Sequence, residues 1–278
     1  MRALVIPALL VSGCVEVGGG ESPREWYDRG TDYDVEEPLA FTDVNYDFTG
    51  PTAIADLPAV PTFATLFAPD DLPQASCNDW SSDPELPVEI TGIVTLHPRL
   101  YFKSSGCQGA DNIDEDERFY GSYFIQDRTG GYFVLGDSKV AHFDMGDRVT
   151  LRVRALRESF GQTMIAVQDV VEAVRGPEPI YYQTVSGALS NDMISRVVRV
   201  QGVVSTETST FGELYLDVGG GERVHVVIDG ELTRRGVGYD VGTVLQVTGP
   251  VLNGFGTATE EKLRVQVMRV GQLAEVGE

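Results

Sequence analysis

Chemistry in this chain would have to come from a small set of side chains. The three histidines, His97, His142 and His225, are far apart, and none belongs to an H-E-x-x-H or similar pair that would hold zinc. No G-x-S-x-G or Ser-x-x-Lys pattern offers an activated serine. The run Gly219-Gly220-Gly221 leads into alternating valines, a strand and not a helix, so it has no helix N-terminus on which to seat a phosphate. Carboxylates are abundant, 42 Asp and Glu in all. General acid–base work needs surroundings that move a carboxyl pKa, however, and no stretch of the sequence marks such a place. The expectation is a protein that is not an enzyme, with no catalytic residues, no metal and no cofactor.

Binding needs less. Tyr120, Tyr123 and Tyr132, with Phe124 and Phe133 beside them, precede a strand that carries Arg152 and Arg154. Aromatic rings next to guanidinium groups can stack single-stranded bases or sugar rings. The alternative is that half of these rings fill a core and the others are ordinary strand residues, and a one-residue shift in phase exchanges the two sets. The acidic run Asp111, Asp114, Glu115, Asp116 and Glu117 has oxygens that suit calcium, but it lacks the spacing and the glycine of an EF-hand loop. It reads as a solvated charged loop.

The first fourteen residues, MRALVIPALLVSGC, place Arg2 before an apolar stretch that ends in small residues and a cysteine. Val11-Ser12-Gly13-Cys14 resembles the bacterial lipobox. That resemblance implies a signal segment over 1–13 and lipidation of Cys14. It also implies residence in the bacterial cell envelope, held by lipid at a membrane, with the outer membrane (periplasmic side or surface) as the expected site. Export exposes the other two cysteines, Cys77 and Cys107, to an oxidising compartment, where one disulfide between them is expected.

From 14 to 87 the chain is rich in Gly, Pro and acidic residues, and between Val15 and Pro87 only Arg24 and Arg29 are basic. No period persists there, so this segment reads as a mostly irregular tether. Trp26, Tyr27, Phe41 and Phe63 are among several large apolar groups that would let part of it lie along a folded body. After Pro87 the texture changes to short β-rich runs. In Arg148-Val-Thr-Leu-Arg-Val-Arg154, apolar residues alternate with polar ones, which gives one face to a core and the other to water.

This pattern occurs twice. Ile90-Thr-Gly92-Ile-Val94 matches Val200-Gln-Gly202-Val-Val204, each a strand with one glycine where a bulge or bend is expected. Asp127-Arg-Thr-Gly-Gly131 matches Asp217-Val-Gly-Gly-Gly221 as a hairpin whose glycines would supply positive φ. Met145-Gly146-Asp147-Arg-Val149 matches Val241-Gly242-Thr243-Val-Leu245 before a long fourth strand. The division that follows is barrel one over 88–176, a linker over 177–195, and barrel two over 196–278.

This order of strands and glycine turns resembles the OB-fold. The run Phe124-Ile-Gln-Asp127 with Thr129-Gly130-Gly131 looks like the OB domains of secreted bacterial proteins, including those attached to extracellular nucleases. The resemblance implies an all-β fold of two tandem five-stranded barrels, with ligands on the faces of strands two and three. A net charge of −21 opposes bulk duplex DNA. The expected role is a lipid-anchored binding or assembly module for a protein, glycan or oligonucleotide. A single-stranded nucleic-acid-binding accessory to an extracellular nuclease and a structural envelope protein stand as alternatives.

Overall fold

Valine-rich alternation becomes strand wherever one side can be buried. Val149, Leu151 and Val153 are fully buried, while the alternate residues Arg152 and Arg154 are only half-buried. A computed structural model describes residues 36, 38–43, 54, 87–96, 123–134, 143–159, 162–176, 178–253 and 263–277. Cys14, Cys77, Cys107, Tyr120 and the acidic run 111–117 lie outside the described residues. No helix among those described is long and apolar enough to cross a membrane.

The strands are β1 Phe41–Thr42, β2 Val88–Leu96, β3 Tyr123–Gln126, β4 Gly131–Val134, β5 Arg148–Ser159, β6 Gln162–Val174, β7 Ile180–Tyr181 and β8 Gln183–Val185. They continue with β9 Val197–Thr206, β10 Glu213–Gly219, β11 Glu222–Ile228, β12 Val244–Asn253, β13 Leu263–Val267 and β14 Leu273–Glu275. One short helix, α1 (Gly230–Arg234), joins β11 to β12.

Strands β2 to β6 form a closed barrel in the order β2-β3-β4-β6-β5, with β4 and β6 parallel and every other pair antiparallel. Strands β9 to β13 repeat the same five pairings: β9–β10, β10–β11, parallel β11–β13, β13–β12, and β12–β9, which closes the ring. The fold is therefore two OB-like barrels in tandem. β8 and β14 extend the second sheet along β9 and β12.

The glycines before the fourth strands have the role the repeat suggests. Gly146 has φ 91° and Gly242 has φ 98°, a conformation that glycine adopts without the Cβ penalty. Each then donates its N–H to the first strand, Gly146 to Val94 O and Gly242 to Val204 O, both at 2.9 Å.

The glycines inside the first strands have a different role. A Cβ at Gly92 would sit 2.4 Å from Ile125 Cγ1, and one at Gly202 would sit 2.6 Å from Asp217 O. They mark close strand approach; the register shifts of the first strands fall elsewhere, between Val94 and Leu96 and opposite Tyr215/Leu216. The two hairpins also differ. Gly219, Gly220 and Gly221 all have positive φ, whereas Gly130 and Gly131 do not. Gly131 is instead needed for space, because a Cβ there would lie 2.0 Å from Ser195 O.

The barrels are packed against each other. One apolar cluster, with Ile90, Tyr123, Ile125 and Leu151 among its members, fills the first barrel. The second barrel's cluster reaches out of its own strands to take in Ile93, Leu96, Phe124, Phe133 and Met145, which lie on the outer wall of the first. Phe124 and Phe133 meet edge-on, with centroids 5.2 Å apart, and are fully buried. Burial of each stabilises the junction by about 1.5–3 kcal/mol. Gln126 spans the junction with both ends of its amide: Oε1 accepts from Val197 N and Nε2 donates to Tyr181 O. Arg196 donates to Thr129 O, and the fully buried Arg269 pairs with Asp144.

Residues 177–195 are more than a spacer. They contribute β7, β8 and a 3-10 turn, and Ser195 is the one non-glycine residue with positive φ among those described. β7 pairs in parallel with β1, so part of the segment ahead of the barrels is woven into the junction.

Candidate functional site

The outer face of strands two and three has opposite fates in the two barrels. In the first, Phe124 and Gln126 on β3 and Gly131 and Phe133 on β4 turn outward and are covered by the linker and the second barrel. In the second, the inward set is Leu214, Leu216, Val224, Val226 and Ile228, each essentially buried. The alternate residues Glu213, Tyr215, Asp217, Arg223, His225 and Val227 therefore share the outer face. Glu213, Asp217 and Arg223 are exposed, and Val203 on β9 is 42 % exposed beside them.

At the centre of this face Tyr215 and His225 are cross-strand partners whose rings stack, with centroids 4.7 Å apart and planes 12° from parallel. The Arg223 guanidinium lies 5.5 Å from the Tyr215 centroid. His225 Nε2 is 3.9 Å from Glu213 Oε1, a pair that becomes ionic when the imidazole is protonated. On β13, Arg264 stands opposite His225. Burial lowers the pKa of its guanidinium, and the Glu213 carboxylate opposes that shift. The loop into β10 carries Phe211, 81 % exposed, held by a turn in which Ser209 Oγ accepts from the N–H groups of Phe211 and Glu213.

Such a surface offers a rigid aromatic pair, two guanidinium groups, two carboxylates and an exposed phenyl ring. It can bind. Among the described residues no group of three or more His, Cys, Asp or Glu is arranged to hold a metal ion.

The described residues among those singled out by sequence do not make one surface. Tyr123 is inside the first barrel, 1 % exposed and edge-on to Phe143 with centroids 5.4 Å apart. Tyr132 is at the barrel mouth, where its hydroxyl donates to Ile54 O at 3.3 Å. Arg152 is on the outer side of β5 and pairs with its cross-strand neighbour Glu89 at 2.8 Å. Arg154 is two positions further along the same strand. Burial of Tyr132 and the nearby Asp127 charge both push its hydroxyl pKa up, so the phenol stays protonated. The outward rings of this repeat are Phe124 and Phe133, and they are part of the junction.

The second-barrel face was visible in the sequence as two alternating runs, Glu213-x-Tyr215-x-Asp217 and Arg223-x-His225-x-Val227. Their valine and leucine partners leave no ambiguity of phase, and that was the missed signal.

No family model matches the chain, and no curated protein matches it. Solved structures similar to it in part include the S. pombe Stn1-Ten1 complex, 16 % identical with a TM-score of 0.23. That match covers 30 % of this chain and 59 % of the other, so the chain spans less than two thirds of that relative's length. The tetrameric p202 HIN2 is 12 % identical over 71 % of this chain and 99 % of its own, with a TM-score of 0.29. The single-stranded DNA binding protein from Thermus aquaticus is 13 % identical over 68 % of this chain and 92 % of its own, with a TM-score of 0.23.

Proposed function

We propose that this chain is a non-catalytic binding module, held at the bacterial envelope by lipid on Cys14, that takes a protein partner on the outer face of β9–β11. The observation that carries the reading is the asymmetry between the barrels: the strand-two and strand-three face is sealed in the first and open in the second. Tyr215, Arg223 and Phe211 are residue types that anchor protein interfaces, and Glu213 and Asp217 give the rim its polar pairing. The rings favour a protein over a stacked base, because the Tyr215 ring is already stacked on His225 and has the Arg223 guanidinium 5.5 Å from its centroid.

A photo-crosslinking side chain placed at Val203 or Phe211 in the native envelope tests this. Discrete protein adducts are expected from both sites and none from Val171, which is 45 % exposed on the first barrel. Adducts from Val171 alone, or from all three sites equally, would sink the reading. Cys14→Ser should move the protein from the membrane fraction to the soluble fraction, and an unchanged distribution would remove the anchor.

A single-stranded oligonucleotide is the second reading, favoured by Arg223 and Arg264 flanking the aromatic pair. Anisotropy with a labelled oligothymidine at low and moderate salt decides it. Binding that weakens steeply with salt and is lost in Arg223→Ala would put nucleic acid first.

A further inference from the structure

The mouth of the first barrel grips one residue from the chain that precedes it. Ile54 is 1 % exposed and packs with the cluster that fills the first barrel. Its N–H donates to Asp127 Oδ2 at 3.1 Å, and its carbonyl accepts from the Tyr132 hydroxyl at 3.3 Å. One half of the grip is held by bonds that do not involve Ile54. Asp127 Oδ1 accepts from Thr129 N and Thr129 Oγ1, both at 2.6 Å, and from Gly130 N at 3.0 Å. The hairpin thus fixes the carboxylate by itself and leaves Oδ2 facing the mouth. Gly130 lies just below Ile54, where even an added Cβ would make only ordinary contact, 3.5 Å from Ile54 Cγ2.

These are the parts of a peptide subsite: an acceptor for a backbone N–H, a donor for the same residue's carbonyl, and an apolar socket between them. The tyrosine hydroxyl has the raised pKa described above, so it donates throughout the physiological range. In the second hairpin the matching Asp217 is exposed, and it accepts from Gly219 N.

We propose that the mouth of the first barrel is a socket for a peptide segment carrying a branched aliphatic residue, filled in cis by Ile54, and that a segment of the same chemistry presented in trans competes for it. Cis filling is favoured by tethering. Ile54 follows twelve positions after Thr42, which β1 fixes to β7. A tether of so few residues keeps the effective concentration on the order of millimolar.

The test uses the full chain and a fluorescein-labelled peptide of residues 50–58, Gly-Pro-Thr-Ala-Ile-Ala-Asp-Leu-Pro, followed by anisotropy. Ile54→Asp should empty the socket and bind the peptide saturably, with wild type at least tenfold weaker. Tyr132→Phe in that background should weaken binding by about three- to tenfold, the worth of one hydrogen bond. A peptide with Asp in place of its Ile should not bind. If Ile54→Asp fails to fold by circular dichroism, Ile54→Ala serves in its place. A folded emptied variant that ignores the peptide overturns the proposal. So does a wild type that binds it as tightly as the variant does.

Discussion

Gly131→Ala should separate the two barrels. The new Cβ would lie 2.0 Å from Ser195 O and 2.7 Å from Ser195 C. Carbon–oxygen contacts settle at about 3.3 Å or more, so hairpin and linker must part by about 1 Å. Neither side yields easily. Gln126 bonds Val197 N at 2.5 Å and Tyr181 O at 3.0 Å, and Arg196 bonds Thr129 O at 3.0 Å, all spanning the same seam. Overpacking costs about 1–3 kcal/mol. Stretching three bonds worth about 1 kcal/mol each adds to that. A loss of about 3 kcal/mol follows, which for a folded body of this size lowers Tm by about 6–12 °C.

Gly130→Ala is the internal control, one residue away and also without positive φ. Its Cβ makes ordinary contact at 3.5 Å, so the change should stay within about 0.5 kcal/mol. Thermal unfolding by circular dichroism reads both. A Gly131→Ala protein that melts within 2 °C of wild type, or a Gly130→Ala protein that falls as far, would refute the account of the seam.

Gly212→Ala should cost clearly more than Gly220→Ala, as compared by urea midpoints: both have positive φ, but only the first would press a Cβ to 2.0 Å from a carbonyl oxygen, that of Ile228. Leu232→Ala, in the short helix over the second barrel and fully buried, should lose about 2–4 kcal/mol in the same assay. Asp147 is buried and its pKa is raised, first by desolvation, against the lowering pull of the Asp144 and Gly176 amides. A carboxyl raised in the folded state adds stability that is full below its unfolded value and fades as pH climbs through the folded value. Wild type should therefore gain stability relative to Asp147→Asn as pH falls from 7 toward 4, and a difference that does not change with pH would contradict it.

Alternation and turn glycines made the fold readable. Val149, Leu151 and Val153 announced a strand with one buried face, and the paired Gly146 and Gly242 announced the repeat, because each does the same backbone work against the first strand of its barrel. The junction was not readable. Phe124, Gln126 and Phe133 look like a ligand face because aromatics and amides on an outer strand face suit a ligand and a neighbouring domain equally well. Only the partner decides, and the partner was the linker, whose short strands carry no periodic signal. Gly131 was misread for a related reason, since a glycine kept for space and one kept for positive φ are identical as letters. Ile54 was hidden as one aliphatic residue in an acidic, proline-rich segment.

The charge of the chain sets a bound on the nucleic-acid reading. Across the open face Arg223 and Arg264 stand against Glu213 and Asp217, so the face is near neutral on a protein of net charge −21. A single strand neutralised by two guanidinium groups releases few counterions: at about −0.7 per phosphate contact, log affinity against log salt should have a slope of about −1.4. Arg223→Ala should then bring the slope to about −0.7 and weaken binding at every salt concentration. A protein partner anchored by Phe211 and the Tyr215 edge would show almost no slope, and Phe211→Ser would abolish its binding while leaving Tm unchanged. A slope steeper than about −3 would need cations that this face does not present, and would move the binding surface elsewhere on the chain.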